Sequence, residues 1–311
     1  MAGMSRPRSG EEDGLRSTIA NLDKQVDKYE NEELLRLARG EIPLDELKAV
    51  AEALQESDTS LCYEGLKRFS RFEVSSEVSY IRCPRGSFGQ VVQADLFQMD
   101  WCVHLLKAEE KCLVTKRRPY TMFEIDPRYL MRSRVGRCGE FANLFALFIR
   151  AVGLRGRYVW NAEDHVWNEY YSPALKRWVH MDSCENARDQ HLLYDVGWGK
   201  KQSYILAFST EGAQDVSRAY IKDYGAALSR RNRMNEDDLQ SVLAEVTRKR
   251  RAKLERKRLA ELEQEDEWQA KFLRGEPSSA SQEKEAEADL GPRQSGTAEW
   301  KAARGEDGKH D

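Results

Sequence analysis

A chain of 311 residues, 40% hydrophobic and 33% charged, holds enough apolar material for one sizeable core, with polar helical segments left at its flanks. Its formal net charge of −3 argues against a general nucleic-acid binder, and no run is apolar enough to insert in a membrane. The polar opening at Ser5–Asp13 is no signal peptide, so a soluble intracellular protein is expected.

Residues 1–14 read as disordered. From Leu15 the apolar positions Leu15, Ile19, Leu22, Val26 and Tyr29 recur in alternating steps of four and three, the seam of a helix that pairs with another helix. Gly40 ends that run, and Leu44, Leu47, Val50, Ala51 and Leu54 follow Pro43, so 15–60 reads as a helical hairpin. The hairpin either props the core or docks a partner. Residues 61–125 carry no clean period; Leu61–Phe72 suggests an amphipathic turn or two, and Arg82–Gly86 is turn-like.

The chain is organised around Gly136-Arg137-Cys138-Gly139-Glu140-Phe141-Ala142-Asn143, which runs into Leu144–Val152 and stops at Gly153. Apolar residues crowd every side of this segment, as in a helix buried all round. Cys138 therefore opens a central helix, where the dipole and free N–H groups favour the nucleophilic thiolate. Taken alone, it reads first as a small buried hydrophobe, and only the residues downstream turn the reading toward a nucleophile.

Three strands follow at Arg157–Trp160, His165–Tyr171 and Arg177–Ser183, separated by the turn-prone Asn161–Asp164 and by Ser172–Leu175. A four-residue loop at Ser172–Leu175 pairs Tyr171 with Lys176 and, counting outward, His165 with Asp182. A one-residue slip would separate the pair. Tyr204–Phe208 reads as a further strand and Gln214–Tyr220 as a short element. A highly charged helix starts near Asn235, so 126–230 is taken as the core, 231–274 as a charged helix and 275–311 as linker and tail. The basic run Arg248–Lys253 reads as a solvated helix face or as a nuclear localisation signal.

Cys138, His165 and Asp182 thus supply nucleophile, base and orienting carboxylate in chain order. The Cys138 N–H is a natural oxyanion donor. His180, on the same strand face as Asp182, is the rival base; His165 is preferred because it reaches that carboxylate from the neighbouring strand while still facing the helix. Trp160, Trp167, Trp178 and Trp198 either stack on sugar rings or belong to the core. The six cysteines, Cys62, Cys83, Cys102, Cys112, Cys138 and Cys184, form no Cys-x-x-Cys pair, so neither a disulfide framework nor a zinc knuckle is indicated.

Gly136–Glu140, Tyr158–Asn161 with Asp164–Trp167, Trp178–His180 with Asp182–Glu185, Gly197–Lys201 with Ser203-Tyr204, and Gly296–Trp300 with Arg304–Asp307 together resemble the cytoplasmic peptide:N-glycanases, transglutaminase-like thiol enzymes. The resemblance implies an α+β, papain/transglutaminase-like fold, with the Cys-bearing helix packed on an antiparallel sheet and helical extensions at both ends. It implies an amidase that frees N-linked glycans from misfolded glycoproteins through a Cys138 thioester, leaving aspartate, in ER-associated degradation. Glu185 matches a substrate-contacting position of the family. A proteasome shuttle factor, or ubiquitin receptor, is the implied partner of the terminal helices, which would give the Leu15–Tyr29 seam a purpose; nucleic acid and membrane are not expected partners. The implied location is cytoplasmic, with the nucleus added if the basic run is a signal. The family also carries zinc on two Cys-x-x-Cys pairs in a lobe that this chain replaces at 61–125, and Phe141 stands where tryptophan is usual. The zinc is therefore expected from the family but lacks its ligand pairs here. The competing reading is a catalytically impaired homologue serving as a proteasome-pathway adaptor; a transglutaminase or thiol protease fits the triad but not the surrounding blocks.

Overall fold

The computed structural model describes residues 9–42, 126–133, 138–172, 176–185, 187–275, 290–293, 298–306 and 308. The expectations for 61–125, and for the second arm of the hairpin at Leu44–Leu54, lie outside these residues.

The chain starts as helix earlier than its composition suggested: α1 spans Ser9–Gln25, so residues 9–14 are helical rather than disordered. Val26–Glu30 then tightens into a 3₁₀ turn, and Asn31 caps α2 (Glu32–Glu41) by accepting the Leu34 N–H at 3.0 Å. The predicted continuous helix is thus two helices broken at a cap. Leu15, Ile19, Leu22, Val26 and Tyr29 are all buried, in the same apolar core as the central helix. The seam therefore props the core, and its periodicity records an intramolecular partner.

That central helix is α4, Cys138–Ala151, preceded by the short α3, Pro127–Ser133. Leu144 to Ile149 are buried without interruption, which is why apolar residues crowd every side of that stretch, while Asn143 and Arg150 turn a polar strip toward the N-terminal segment. Gly153, at φ +85°, ends it in the left-handed conformation that glycine adopts without cost. Polar contacts fix the N-terminal segment to α4: Tyr29 donates to Asn143 Oδ1 at 2.6 Å, Gln25 donates to the same oxygen at 2.9 Å, and Arg150 pairs with Glu30 at 2.6 Å.

Six antiparallel strands form one sheet: β1 Gly156–Asn161, β2 His165–Ser172, β3 Arg177–Asp182, β4 Ala187–Arg188, β5 Ile205–Ser209 and β6 Gly212–Asp215, in the order β4-β3-β2-β1-β5-β6. With α4 packed on it, the sheet gives the expected α+β, transglutaminase-like core. One face carries Tyr158, Tyr170, Val179 and Met181 against the helices; the other carries Trp167, Tyr194 and Trp198 in a second, aromatic core. Two short helices, α5 (Ser217–Tyr220) and α6 (Tyr224–Ala227), lead to the C-terminal helices.

The charged segment 231–274 is two helices, not one: α7 (Glu236–Arg251), capped by Asn235, and α8 (Arg256–Leu273). Leu239 and Leu243 of α7 join the main core. The basic run at its end is partly tied into the fold, since Arg250 pairs with Asp23 and Asp27 and Arg251 with Asp266. Flanking segments and catalytic core are therefore one hydrophobic unit. Ile19, 1% exposed on α1, is a direct measure of that union: Ile19→Ala is expected to cost about 2–4 kcal/mol in urea denaturation, whereas a docking-only seam would leave the midpoint unchanged.

Candidate functional site

His165 is the first residue of β2 and Asp182 the last of β3, so both stand at one end of the sheet. The turn that delivers His165 is Ala162–Asp164, closed by Asn161 opposite His165 and by the Glu163 N–H donating to Asn161 Oδ1 at 2.7 Å; Asp164 takes φ +61°. The β2–β3 register differs from the predicted one by two residues. Ser172 pairs with Arg177 and Asn168 with Met181, so Trp167, not His165, falls opposite Asp182 by continuation. A shift of two keeps every side chain on its face. His165 and Asp182 consequently meet diagonally, with Nε2 2.7 Å from Oδ2.

Both groups are almost completely buried, His165 at 2% and Asp182 at 1% exposure. Burial disfavours the Asp182 carboxylate, but the His165 charge and hydrogen bond outweigh it and hold its pKa down at about 2. Its four contacts are all donors: His165 and the Tyr194 hydroxyl (2.9 Å) on Oδ2, and the N–H groups of Cys184 (2.8 Å) and Glu185 (3.2 Å) on Oδ1. Burial likewise lowers the His165 pKa, yet Asp182 and Cys138 together raise it to about 9.

With Nε2 committed to Asp182, Nδ1 is the nitrogen of His165 left to exchange a proton with the Cys138 thiol. Cys138 is a free, partly exposed cysteine at the first position of α4. Burial raises its pKa, but interaction with His165 and the charge of Arg293 prevail and lower it. The two groups therefore favour a thiolate–imidazolium pair, the reactive form of a thiol nucleophile. One part of the expectation is corrected: His165 lies on the aromatic face, with Trp198 at 5.0 Å and Tyr194 at 5.1 Å between ring centroids, rather than on the face that packs α4. It reaches the nucleophile at the sheet's end, not through its helix-covered side.

His180, the rival base, has both ring nitrogens occupied. His180 Nδ1 accepts the Gln190 N–H at 3.2 Å, which places the proton on Nε2; that nitrogen donates to the Tyr194 hydroxyl at 2.7 Å, which in turn donates to Asp182. Burial lowers the His180 pKa to about 3, so it stays neutral and braces the carboxylate. Tyr194, on the π-helical turn Leu193–Gly197, was invisible as a site residue because its segment shows no periodicity. Trp167, Trp178 and Trp198 are buried, which makes them core rather than open stacking surfaces. Glu185 is also buried, within electrostatic reach of Arg293. Among the described residues no three His, Cys, Asp or Glu side chains converge as a metal site, and Cys62, Cys83, Cys102 and Cys112 lie outside them.

The transglutaminase-like superfamily matches residues 104–183, and the Rad4 transglutaminase-like domain matches 161–287. A peptide-N(4)-(N-acetyl-beta-glucosaminyl)asparagine amidase of Yarrowia lipolytica is 34% identical over 299 residues, covering 91% of this chain and 82% of that protein. One of Eremothecium gossypii is 46% identical over 184 residues, 59% of this chain and 51% of that protein, so the chain spans about half of the latter relative. A crystal structure of Rad4-Rad23 bound to a 6-4 photoproduct UV lesion overlaps with a TM-score of 0.41 at 12% identity, covering 80% of this chain and 61% of that one.

If His165 holds the thiolate, its removal has a signature that needs no substrate. Iodoacetamide should alkylate Cys138 with a pH midpoint below the ordinary thiol range of about 8.5. In His165→Ala the midpoint should rise toward or above that value; an unchanged profile would remove His165 from the site.

Proposed function

Because this chain belongs to the peptide-N(4)-(N-acetyl-beta-glucosaminyl)asparagine amidase family, we propose that it hydrolyses the amide joining an N-linked glycan to asparagine. The observation that carries the reading is the buried His165–Asp182 hydrogen bond at 2.7 Å beside a thiol that opens a buried helix. In the proposed reaction the Cys138 thiolate adds to the side-chain carbonyl carbon, and the oxyanion forms near the Cys138 N–H at the positive end of α4. The His165 imidazolium gives its Nδ1 proton to the departing nitrogen, releasing a glycosylamine and leaving a thioester. The neutral imidazole then takes a proton from water, whose oxygen displaces the thiolate and leaves aspartate. Asp182 keeps the ring in one orientation and its charge favours the imidazolium throughout.

The proposed substrates are misfolded N-glycoproteins met in the cytosol during ER-associated degradation. A proteasome shuttle factor, if bound, meets the outward faces of the terminal helices, because the Leu15–Tyr29 seam is occupied by the protein's own core. Against the adaptor-only alternative stands the hydrogen bonding of Asp182, whose two oxygens accept from His165, Tyr194 and two backbone N–H groups.

Purified protein should release high-mannose glycan from a denatured glycoprotein and convert asparagine to aspartate, read as a mass change. Cys138→Ala should abolish release, and Asp182→Asn should lower kcat roughly 10²–10⁴-fold. The pH profile should fall on its alkaline side near pH 9, where His165 loses the proton that the leaving nitrogen needs. A folded wild type that releases nothing would return the adaptor reading.

A further inference from the structure

The C-terminal residues reach the active centre from more than a hundred residues away. Leu290–Arg293 and the short helix α9 (Ala298–Ala303), continued to Glu306, fold back onto Trp198. Contact is close enough to demand a glycine: a Cβ at Gly197 would lie 2.7 Å from the Gly291 carbonyl oxygen and 3.2 Å from Leu290 Cβ. A Cβ at Gly308 would meet Pro292 at 2.9 Å. The two ends of the segment are joined to each other, with the Arg293 N–H donating to the Glu306 carbonyl at 3.2 Å.

Three cations converge on Glu306, which is 1% exposed: Lys200 at 2.8 Å, Arg293 at 2.6 Å and Arg304 at 3.1 Å. Two of them also touch the catalytic side. Arg293 lies over the Trp198 ring at 4.7 Å, and the same ring is flanked by Tyr194 at 4.9 Å and by the His165 imidazole at 5.0 Å. Arg304 grips the turn immediately before His165, donating to Asp164 Oδ2 at 3.0 Å and to the Glu163 carbonyl at 3.2 Å. A segment serving only as a surface tail has no need to bury a carboxylate with three cations against the ring that supports the base.

We propose that residues 290–293 and 298–306 are a working part of the active centre, in which Arg293 is a positioning residue that supports the Cys138–His165 pair through Trp198 and through its charge. The inference rests on Cys138 being the nucleophile, not on the identity of the substrate. The titratable and charged groups around the thiol are His165 from β2, Tyr158 from β1, Asp182 of β3 with Cys184 after it, and Arg293; of these only His165 and Arg293 favour the thiolate. Arg293 also faces Glu185, so its charge is shared between the nucleophile and an acidic neighbour.

The test is iodoacetamide alkylation of Cys138 in the full chain as a function of pH, which needs no glycoprotein. In Arg293→Gln the alkylation midpoint is expected to move up by about one pH unit, making alkylation roughly tenfold slower below both midpoints. Arg293→Lys keeps the charge and should restore most of the difference, which a merely structural role would not do. An Arg293→Gln protein with wild-type thermal melting and a wild-type alkylation profile overturns the proposal. Should that variant fail to fold, Arg304→Met loosens the grip on the Glu163-Asp164 turn at a partly exposed position. A smaller upward displacement there supports the proposal, and a superimposable profile overturns it.

Discussion

The site depends on keeping Asp182 ionised where almost no water reaches it. A buried carboxylate without partners would take up a proton, and removing its partners typically costs about 3–5 kcal/mol. Here two backbone N–H groups fill one oxygen, and a tyrosine and an imidazole fill the other. The requirement propagates outward. Tyr194 must be held by a neutral His180, and His180 by the Gln190 backbone, so a run with no regular period is fixed as firmly as a strand. The imidazolium that answers the carboxylate then answers the thiolate.

The same molecule shows why its catalytic core has no clean boundary. α4 is apolar all round, and a sheet can cover only one of its sides. The remainder is covered from α1, the 3₁₀ turn and α2, with α7 closing the same cluster beyond the sheet. The hydrophobic effect thus makes the terminal helices obligatory to the helix that carries the nucleophile. Division of the chain into a core with attached hairpin and tail describes its sequence composition but not its packing.

Much of this was legible in the residues themselves. The central helix announced itself by apolar density and by Gly153, and the meander by aromatic and β-branched alternation, because both signals are local. Cys138, His165 and Asp182 followed from those elements and from the family blocks. The register did not, since loop length alone cannot distinguish where pairing closes; the pair survived because the discrepancy was even. Asn31 splits a seam whose heptad spacing hid the break, and an interruption at 252–255 divides a charged helix that read as continuous. Tyr194 and Arg293 escaped notice because what they touch stands on other segments, and no period or motif in one segment encodes contact with another; Glu306 fell within the matched block Arg304–Asp307, which did not disclose its cation partners.

The diagonal meeting of His165 and Asp182 ties the pair to one register of β2 on β3. Four residues, 173–176, separate the paired ends Ser172 and Arg177. A slip of two in the pairing brings His165 directly opposite Asp182 in one direction, and in the other carries it four positions away, roughly 13 Å along the strand and beyond a hydrogen bond. A slip of one turns the imidazole and the carboxylate to opposite sides of the sheet. What the pair needs is therefore the strand pairing and not a loop of one length: any hairpin that leaves Ser172 against Arg177 leaves the imidazole and the carboxylate where they meet.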